Sequence, residues 1–484
     1  MGFGVHSVRS IGRQLSRRCT VPDRFVVRND EKCGICYLVR FFMRNFLPGL
    51  VIFLISASFC MAQSEHARKI AASFENAPGE LSNYAAELLV NKPDYVVFTP
   101  KRDSMVLGDT YNDHFQVISK ENGLLLAFWT QATRESDIDQ HIAFSKSSDG
   151  GLTWTPVQVL AGSPNKKNPQ LLASWQQPMI SRSGRIYLLW NQQTTSRGPH
   201  CGDCFGIYSD NDGETWSAPR QVKIPRTWKD PDDVSIPTSW CNWQRPLRLG
   251  EDGKYFVGSS HHGKGGCGIE FWQFENIDED PNVEDIRITA FSTEKDQILC
   301  LTGDQIVFPG QNACEEAAPV KLPDGRLFVM MRTDGGYPYW TVSADGGRTW
   351  SRPEILRDRD GGKPYLHPRS PAPLYDWKGC EAASGYYFAL VHNTFDFQFE
   401  KQTAYQARGP LYLIAGKYVE GAHQPIWFTE PQLFAPRKGG NSFYTSYTVR
   451  DGKGILWFPD RKRYLLGREI GPEWFQGVEE IGKK

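Results

Sequence analysis

The chain has 484 residues with 55 basic and 55 acidic side chains, so its formal net charge is zero; no Lys/Arg cluster is interleaved with aromatics, which argues against a nucleic-acid partner and leaves a neutral or acidic small substrate open. Its length suffices to bury a large core without disulfides or metals. Fifteen Trp, 45 Gly and 31 Pro suit short strands joined by many turns, and no long stretch of period 3.6 stands out beyond residue 97, so the class is all-β.

In chain order, residues 1–42 are basic, carry three Cys and read as an upstream extension. Met43-Arg-Asn, the apolar run 47–59 and Ala62 before a polar stretch then make a secretory signal with cleavage near Ala62. The apolar run is too short for a comfortable membrane span. The mature chain is therefore expected to be secreted or periplasmic, without stable membrane insertion. Residues 63–96 read as an N-terminal appendage, with a helix expected within 65–90.

Three stretches beyond residue 97 share one pattern: Ser147-Ser-Asp149-Gly-Gly151-Leu-Thr153-Trp154, Ser209-Asp-Asn211-Asp-Gly213-Glu-Thr215-Trp216 and Ser343-Ala-Asp345-Gly-Gly347-Arg-Thr349-Trp350. The first two start 62 residues apart and the last two 134 apart, which is two periods of about 67 with one copy absent. Each copy has hairpin chemistry: Gly supplies positive φ, Asp or Asn bonds the turn backbone, and Trp leaves as an apolar anchor. One period is enough for a four-stranded antiparallel sheet, and a radial array of such sheets is a propeller. Residues 97–484 divide into six periods, predicting a six-bladed β-propeller.

Blade one holds His114-Phe-Gln-Val-Ile, the Asn122-Gly123 turn, Leu124-Leu-Leu-Ala-Phe-Trp129 and the first motif. Blade two runs from Gln177-Pro-Met-Ile to Ile186-Tyr-Leu-Leu-Trp190 and the second motif; blade three has Gln244-Arg245-Pro-Leu, Asp252-Gly253 and Tyr255-Phe-Val without a motif. Blade four spans Glu316-Ala-Ala-Pro-Val-Lys-Leu, Asp324-Gly325, Leu327 to Arg332 and the third motif. Blade five covers Ser370-Pro-Ala-Pro-Leu to Arg408-Gly-Pro-Leu-Tyr, and the last blade covers Tyr444-Thr-Ser-Tyr447, Asp451-Gly452 and Tyr464-Leu-Leu-Gly-Arg.

The innermost strand of each blade starts near the axis, so polar residues at those starts converge on one pocket. His114, Gln177, Arg245, Glu316 and Tyr444 occupy such positions, with Arg332 and Arg408 at neighbouring strand ends. Seven Cys follow the signal: Cys201, Cys204, Cys241, Cys267, Cys300, Cys314 and Cys380. His200-Cys201-Gly-Asp-Cys204, His261-His262 and Cys267 are ligand types suited to zinc, but their spacing matches no standard zinc module. Scattered disulfides or buried thiols are expected instead, with no metal and no cofactor.

The repeat has the form of the Asp-box, and with a Tyr, a Glu and several Arg facing one axis the chain resembles the sialidase (neuraminidase) superfamily over residues 97–484. That resemblance implies a six-bladed propeller, a Tyr nucleophile with a Glu base, three Arg clamping a substrate carboxylate and an Asp general acid. It implies Glu316 as base, Arg332 and Arg408 as clamps and Tyr444 as nucleophile. Tyr is a poor nucleophile at its usual pKa near 10 and needs a neighbouring carboxylate to take its proton. The general acid is expected in the loop after Trp129, where Glu135, Asp137 and Asp139 compete, Asp137 first and Asp139 next.

Blade one departs from the family. Where an Arg-Ile-Pro motif would supply the first clamp stand Asn112-Asp113-His114-Phe, and His lacks the guanidinium fork that pairs bidentately with a carboxylate. The leading expectation is an exported glycoside hydrolase acting on a terminal acidic or polar sugar of a glycan, with His114, Gln177 and Arg245 beside Arg332 and Arg408 in binding. The alternatives are a polysaccharide lyase on uronic-acid polymers, using His and Tyr as base and acid, and a non-catalytic glycan-binding propeller.

Overall fold

The computed structural model describes residues 64–75, 83–101, 108–164, 172–193, 200–306, 312–378, 385–394, 408–437, 444–450 and 452–483. The expected signal segment, Cys380 and Asp451 lie outside them. Six antiparallel sheets follow one another along the chain as the blades of a propeller. Blade one pairs Tyr111–Ser119, Leu125–Ala132, His141–Ser147 and Gln158–Gly162 in that order, and blade two pairs Ala173–Ile180, Ile186–Gln192, Asp203–Ser209 and Arg220–Val222. Blade four pairs Cys314–Lys321, Leu327–Thr333, Tyr339–Ser343 and Glu354–Ile355. Side chains of a strand alternate between faces, and here both faces are covered by neighbouring blades. Leu125–Ala132 is consequently buried at every position.

Two blades split one of their four strand positions. In blade three the inner strand is broken into Trp240–Cys241 and Leu247–Arg248, both pairing with Tyr255–Gly263, which continues to Gly266–Phe274 and Ile288–Phe291. In blade five, Leu374–Asp376 and Tyr386–Val391 lead to Leu411–Tyr418, which carries both Ile426–Phe428 and Gln432–Ala435 on its outer edge. Blade six runs from Ser446–Arg450 through Lys453–Asp460 and Tyr464–Glu469, and its outermost strand is Tyr95–Phe98 from the other end of the chain.

The repeat motifs lie on the hairpins leaving the third strands, away from the axis. In the first, Asp149 accepts from Ser147 Oγ (2.8 Å), Thr153 N (2.9 Å) and Thr153 Oγ1 (2.5 Å), while Ser147 Oγ accepts from Gly151 N (2.9 Å). The third repeats this network around Asp345. Gly347, at φ 94°, lies where a Cβ would come within 2.5 Å of Phe256 of the preceding blade, so a glycine is required for both conformation and space.

Among the described residues two helices, α1 (Glu65–Glu75) and α2 (Asn83–Leu89), precede the strand Tyr95–Phe98. Their Ala67, Ala71, Ala85 and Leu88 join the core of blades five and six with Leu456, Phe458 and Leu466. Glu87 of α2 also accepts from Arg461 Nη2 (2.5 Å) and Tyr464 Oη (3.1 Å), holding the hairpin of blade six.

Candidate active site

The inner strands of blades one, two and four share one irregularity. Their pairing register shifts between Asp113 and Gln116, Ser174 and Gln177, and Glu315 and Ala318. Within each shift sits a left-handed residue: His114 (φ 52°), Trp175 (φ 53°) and Glu316 (φ 55°). Such a bulge re-aims a side chain, and a non-glycine residue at positive φ persists only where its surroundings hold it. Ser260 Oγ of blade three accepts from Glu316 N at 2.7 Å, and Gln176 Nε2 donates to the His114 carbonyl. His114 and Glu316 meet Tyr444 of blade six, the His114 ring standing edge-on to it at 5.0 Å, and Trp175 lies 5.6 Å from the His114 ring.

At the centre the Tyr444 hydroxyl donates to Glu316 Oε1 at 2.8 Å, and Arg332 Nη1 donates to the same oxygen at 2.9 Å and to the Tyr444 hydroxyl at 3.4 Å. Tyr444 is buried; burial and then the Glu316 charge push its phenol well above 10, against the opposing pull of Arg332 and Arg408. The resting phenol is therefore neutral, with its proton already directed at a carboxylate. Glu316 Oε2 is buried with no hydrogen-bond partner. The adjacent Glu315 faces Arg332 too, with Oε2 3.3 Å from Nε, which the bulge permits although consecutive strand residues ordinarily face opposite ways. Glu315 also accepts from Arg369 Nη2 (2.6 Å); burial would raise its pKa, but Arg332 and Arg369 hold it well below the usual carboxylate range.

Beside this centre lies a second charged group. Lys462 Nζ is 3.1 Å from Asp113 Oδ2 and 2.7 Å from Glu135 Oε1, and it sits over the Tyr444 ring at 5.6 Å. Burial raises Asp113 to about 6 despite Lys462. Burial likewise opposes ionisation of Glu135, but Lys462 outweighs it and lowers the pKa. His114 is held neutral: burial and then Lys462 bring it down to about 3, and its Nδ1 lies 3.1 Å from Thr130 Oγ1. Lys462 and Arg461 occupy the two left-handed positions of the blade-six hairpin (φ 56° and 54°), closed by Arg463 N donating to Asp460 O. Asn112 fixes that hairpin to blade one by donating from N to Lys462 O (2.6 Å) and from Nδ2 to Arg463 O (2.9 Å).

A match to the BNR repeat-like domain runs over residues 123–454, from the first turn of blade one into blade six. The chain belongs to the BNR repeat-like domain family. No curated protein matches it by sequence. In structure it is similar to the Hadza microbial sialidase Hz136 (15% identity, TM-score 0.52), over 75% of this chain and 66% of that one. It is similar also to the K499G mutant of NanB sialidase from Streptococcus pneumoniae (12% identity, TM-score 0.55, 79% and 71% covered) and to the intramolecular trans-sialidase from Ruminococcus gnavus (13%, 0.51, 76% and 96%). At these identities the likeness shows the fold, a sialidase-like BNR propeller.

Within this BNR propeller the expected site residues divide. Glu316, Tyr444, Arg332 and His114 make the cluster described above. Arg408 joins its electrostatic field: burial and then Arg332 lower its pKa, and its Nε and Nη2 donate to the Arg369 carbonyl at 3.1 and 2.7 Å. Gln177 lies two residues past the bulge and donates to the Asn242 carbonyl at 2.9 Å, so Trp175 holds the position in blade two that His114 and Glu316 hold in theirs. Arg245 donates to Val117 O (2.6 Å) and Tyr447 O (3.2 Å), bracing blades one and six, and it borders a cavity of about 560 Å³ at the opposite ends of the inner strands, lined also by Lys120, Arg182 and Arg248. Asp139 is buried and accepts from Thr133 N (3.2 Å) and Thr133 Oγ1 (2.5 Å), stapling its own loop; Asp137 is half-buried, 3.5 Å from Arg134 Nε. Glu135 is tied to the cluster through Lys462. Among the described residues the six cysteines form no disulfide with one another. Among the described residues no helix is long and apolar enough to cross a membrane.

Proposed function

We propose that this BNR propeller is an exported, sialidase-like glycoside hydrolase that releases a terminal acidic or polar sugar from a glycan. The observation that carries the reading is the Tyr444–Glu316 hydrogen bond of 2.8 Å with Arg332 touching both partners. In the proposed reaction the Tyr444 oxygen attacks the anomeric carbon while its proton passes to Glu316, and the departing glycan oxygen takes a proton from the loop that follows Trp129. Water, giving up a proton to the now ionised loop carboxylate, then attacks the anomeric carbon and cleaves the glycosyl–tyrosine bond, and the proton returns from Glu316 to the departing phenolate. Asp137 is assigned as the donor: Asp139 is committed to Thr133, and Lys462 keeps Glu135 ionised.

Four cations, Arg332, Arg369, Arg408 and Lys462, here stand among five carboxylates, Glu315, Glu316, Asp113, Glu135 and Asp334. Such a pocket has little positive charge to spare, which supports a polar or weakly acidic sugar over one bound chiefly through its carboxylate. The test is sugar release from a panel of terminal sialosides, uronosides and neutral glycosides. Wild-type protein should release a sugar and Tyr444→Phe should not; equal turnover by both would discard the nucleophile.

One observation favours the lyase alternative: the His114 ring stands edge-on to Tyr444 at 5.0 Å, the two side-chain types that this reading uses as base and acid. Product from a uronic-acid polymer that absorbs as an unsaturated uronide, without hydrolytic release from the glycosides, would select it.

A further inference from the structure

The end of the propeller opposite Tyr444 holds a second polar enclosure. Beside the cavity of about 560 Å³ that Arg245 borders lies another of about 490 Å³, and the two share Ser119, Arg245, Leu247 and Arg248. Between them their walls take in the inner strands of all six blades, so the enclosure lies on the axis. Arg245 stands on the shared wall. Its Nη1 and Nη2 donate to the carbonyls of Val117 and Tyr447 at 2.6 and 3.2 Å, and among the described residues no carboxylate pairs with it. Gln244 and Gln116 line the second cavity and are buried. Neither Oε1 nor Nε2 of Gln244 has a hydrogen-bond partner, and Gln116 Oε1 has none either, its Nε2 being spent on the Trp243 carbonyl.

These groups specify what would complete them. The Arg245 guanidinium keeps its charge at any working pH and has several N–H donors, so two carbonyls leave both charge and donors to be met, and an anion meets them. A bare anion only accepts hydrogen bonds, however, and cannot serve the side-chain oxygens of Gln116 and Gln244. Those need a donor, which a hydroxyl supplies while also accepting from Gln244 Nε2. Turning the Gln244 amide over changes nothing, because both of its ends are unpartnered. The charge balance agrees. Six basic residues line the two cavities against two acidic ones, Glu121 and Asp376. Counting also Asp278, shared by Arg182 and Arg248, and Asp212, which takes Lys120, the balance is six against four, whereas at the Tyr444 end the carboxylates outnumber the cations. Lys321, exposed in the wall, has no ionic partner among the described residues. A carboxylate carried beside several hydroxyls, in a space of small-molecule size, is the chemistry of an acidic sugar.

We propose that this rear mouth is a second binding site, for an acidic saccharide whose carboxylate pairs with Arg245 and whose hydroxyls meet Gln244 and Gln116, with Lys321 and Lys378 adding positive charge at the exposed wall. It anchors the protein to an acidic polysaccharide without touching the reacting sugar. The proposal is separate from the hydrolase reading, since it is read from binding alone and needs no turnover.

Calorimetric titration of the full chain with trigalacturonate should give saturable binding that weakens as salt is raised. Maltotriose, a trisaccharide without carboxylates, and inorganic phosphate, an anion without a sugar, should each bind weaker by about tenfold or more. A crystal soaked in trigalacturonate should show a carboxylate against Arg245. Gln244→Leu should weaken binding about tenfold through the lost hydrogen bonds. Lys321→Glu with Lys378→Glu, at two exposed positions, should weaken it at least as much, and this pair carries the test alone should Gln244→Leu fail to fold. No binding by the folded chain, equal affinity for phosphate or maltotriose, or undiminished affinity in the folded variants overturns the proposal. Trigalacturonate found at the Tyr444 end alone overturns it too, and leaves the hydrolase reading standing.

Discussion

Replacing Glu316 with Gln probes the proposed reaction at its narrowest point. The carboxylate accepts two charge-assisted hydrogen bonds, from Tyr444 at 2.8 Å and from Arg332 at 2.9 Å. The amide can still accept from the phenol but cannot offset the buried guanidinium, which keeps Glu315 as partner; with hydrogen bonds to charged groups worth about 1.5–3 kcal/mol each, the stability loss should be on the order of 2 kcal/mol. Loss of a general base should lower kcat by about 10²–10⁴-fold. A further consequence separates a base from a merely structural acid. The Glu316 charge, after burial, is what pushes the Tyr444 phenol upward, so removing it lowers the phenol pKa. Residual turnover in Glu316→Gln should therefore climb with pH, as solvent hydroxide takes over deprotonation, across a range where the wild-type rate does not. The assay is initial-rate sugar release over a pH series, with circular dichroism to establish folding. A folded variant keeping more than about a tenth of wild-type kcat would refute the assignment.

Lys462→Met should strand Asp113, which is fully buried, and cost about 3–5 kcal/mol at neutral pH. Asp113 already titrates at about 6, so the variant should recover stability as pH falls and the acid becomes neutral; denaturant unfolding across pH measures this, and a pH-independent loss would contradict it. Arg245→Met removes two bonds to carbonyls at the far end of the axis and should cost about 2–4 kcal/mol while leaving KM unchanged; a raised KM with intact stability would return Arg245 to the site. His261 lies between Asp230 (3.3 Å) and Glu270 (3.0 Å); burial lowers its pKa, but the two carboxylates more than offset it, so the folded value is raised. Its contribution is fully present below the unfolded value of about 6.5 and is lost as pH rises through the higher folded one. His261→Gln should flatten that part of the stability profile, and an unchanged slope would show that the pair does not couple to folding.

The architecture was legible because the repeat motifs and the alternating apolar runs are local patterns. Glu316, Arg332 and Tyr444 were legible because each stands at a strand end that the repeat frame locates. The position of Gln177 at an inner-strand start points it to the pocket by sequence, but the bulge at Trp175 advances the pleat, and side chains two residues apart then serve different ends. No sequence signal marks the left-handed bulge residues Trp175 and Glu316, since Trp and Glu are unusual at positive φ. Lys462 carries no sequence signal for a related reason: a turn with φ positive at both central positions favours Asn-Gly, and Arg461-Lys462 gives no such cue. Its approach to the phenol depends on Asn112, 350 residues away in the chain.

The strand Tyr95–Phe98 completes the same sheet that carries Lys462, pairing Tyr95 with Gly467. The lysine at the pocket thus depends on a splice between sequence-distant segments, which raises contact order and slows folding. A nascent chain lacking blade six has neither the phenol nor the ammonium group, so acquisition of this chemistry coincides with the sealing of the ring. Trimming residues up to 98 would unzip the outermost strand and expose the edge of the sheet, turning a truncation remote in sequence into a lesion of the pocket.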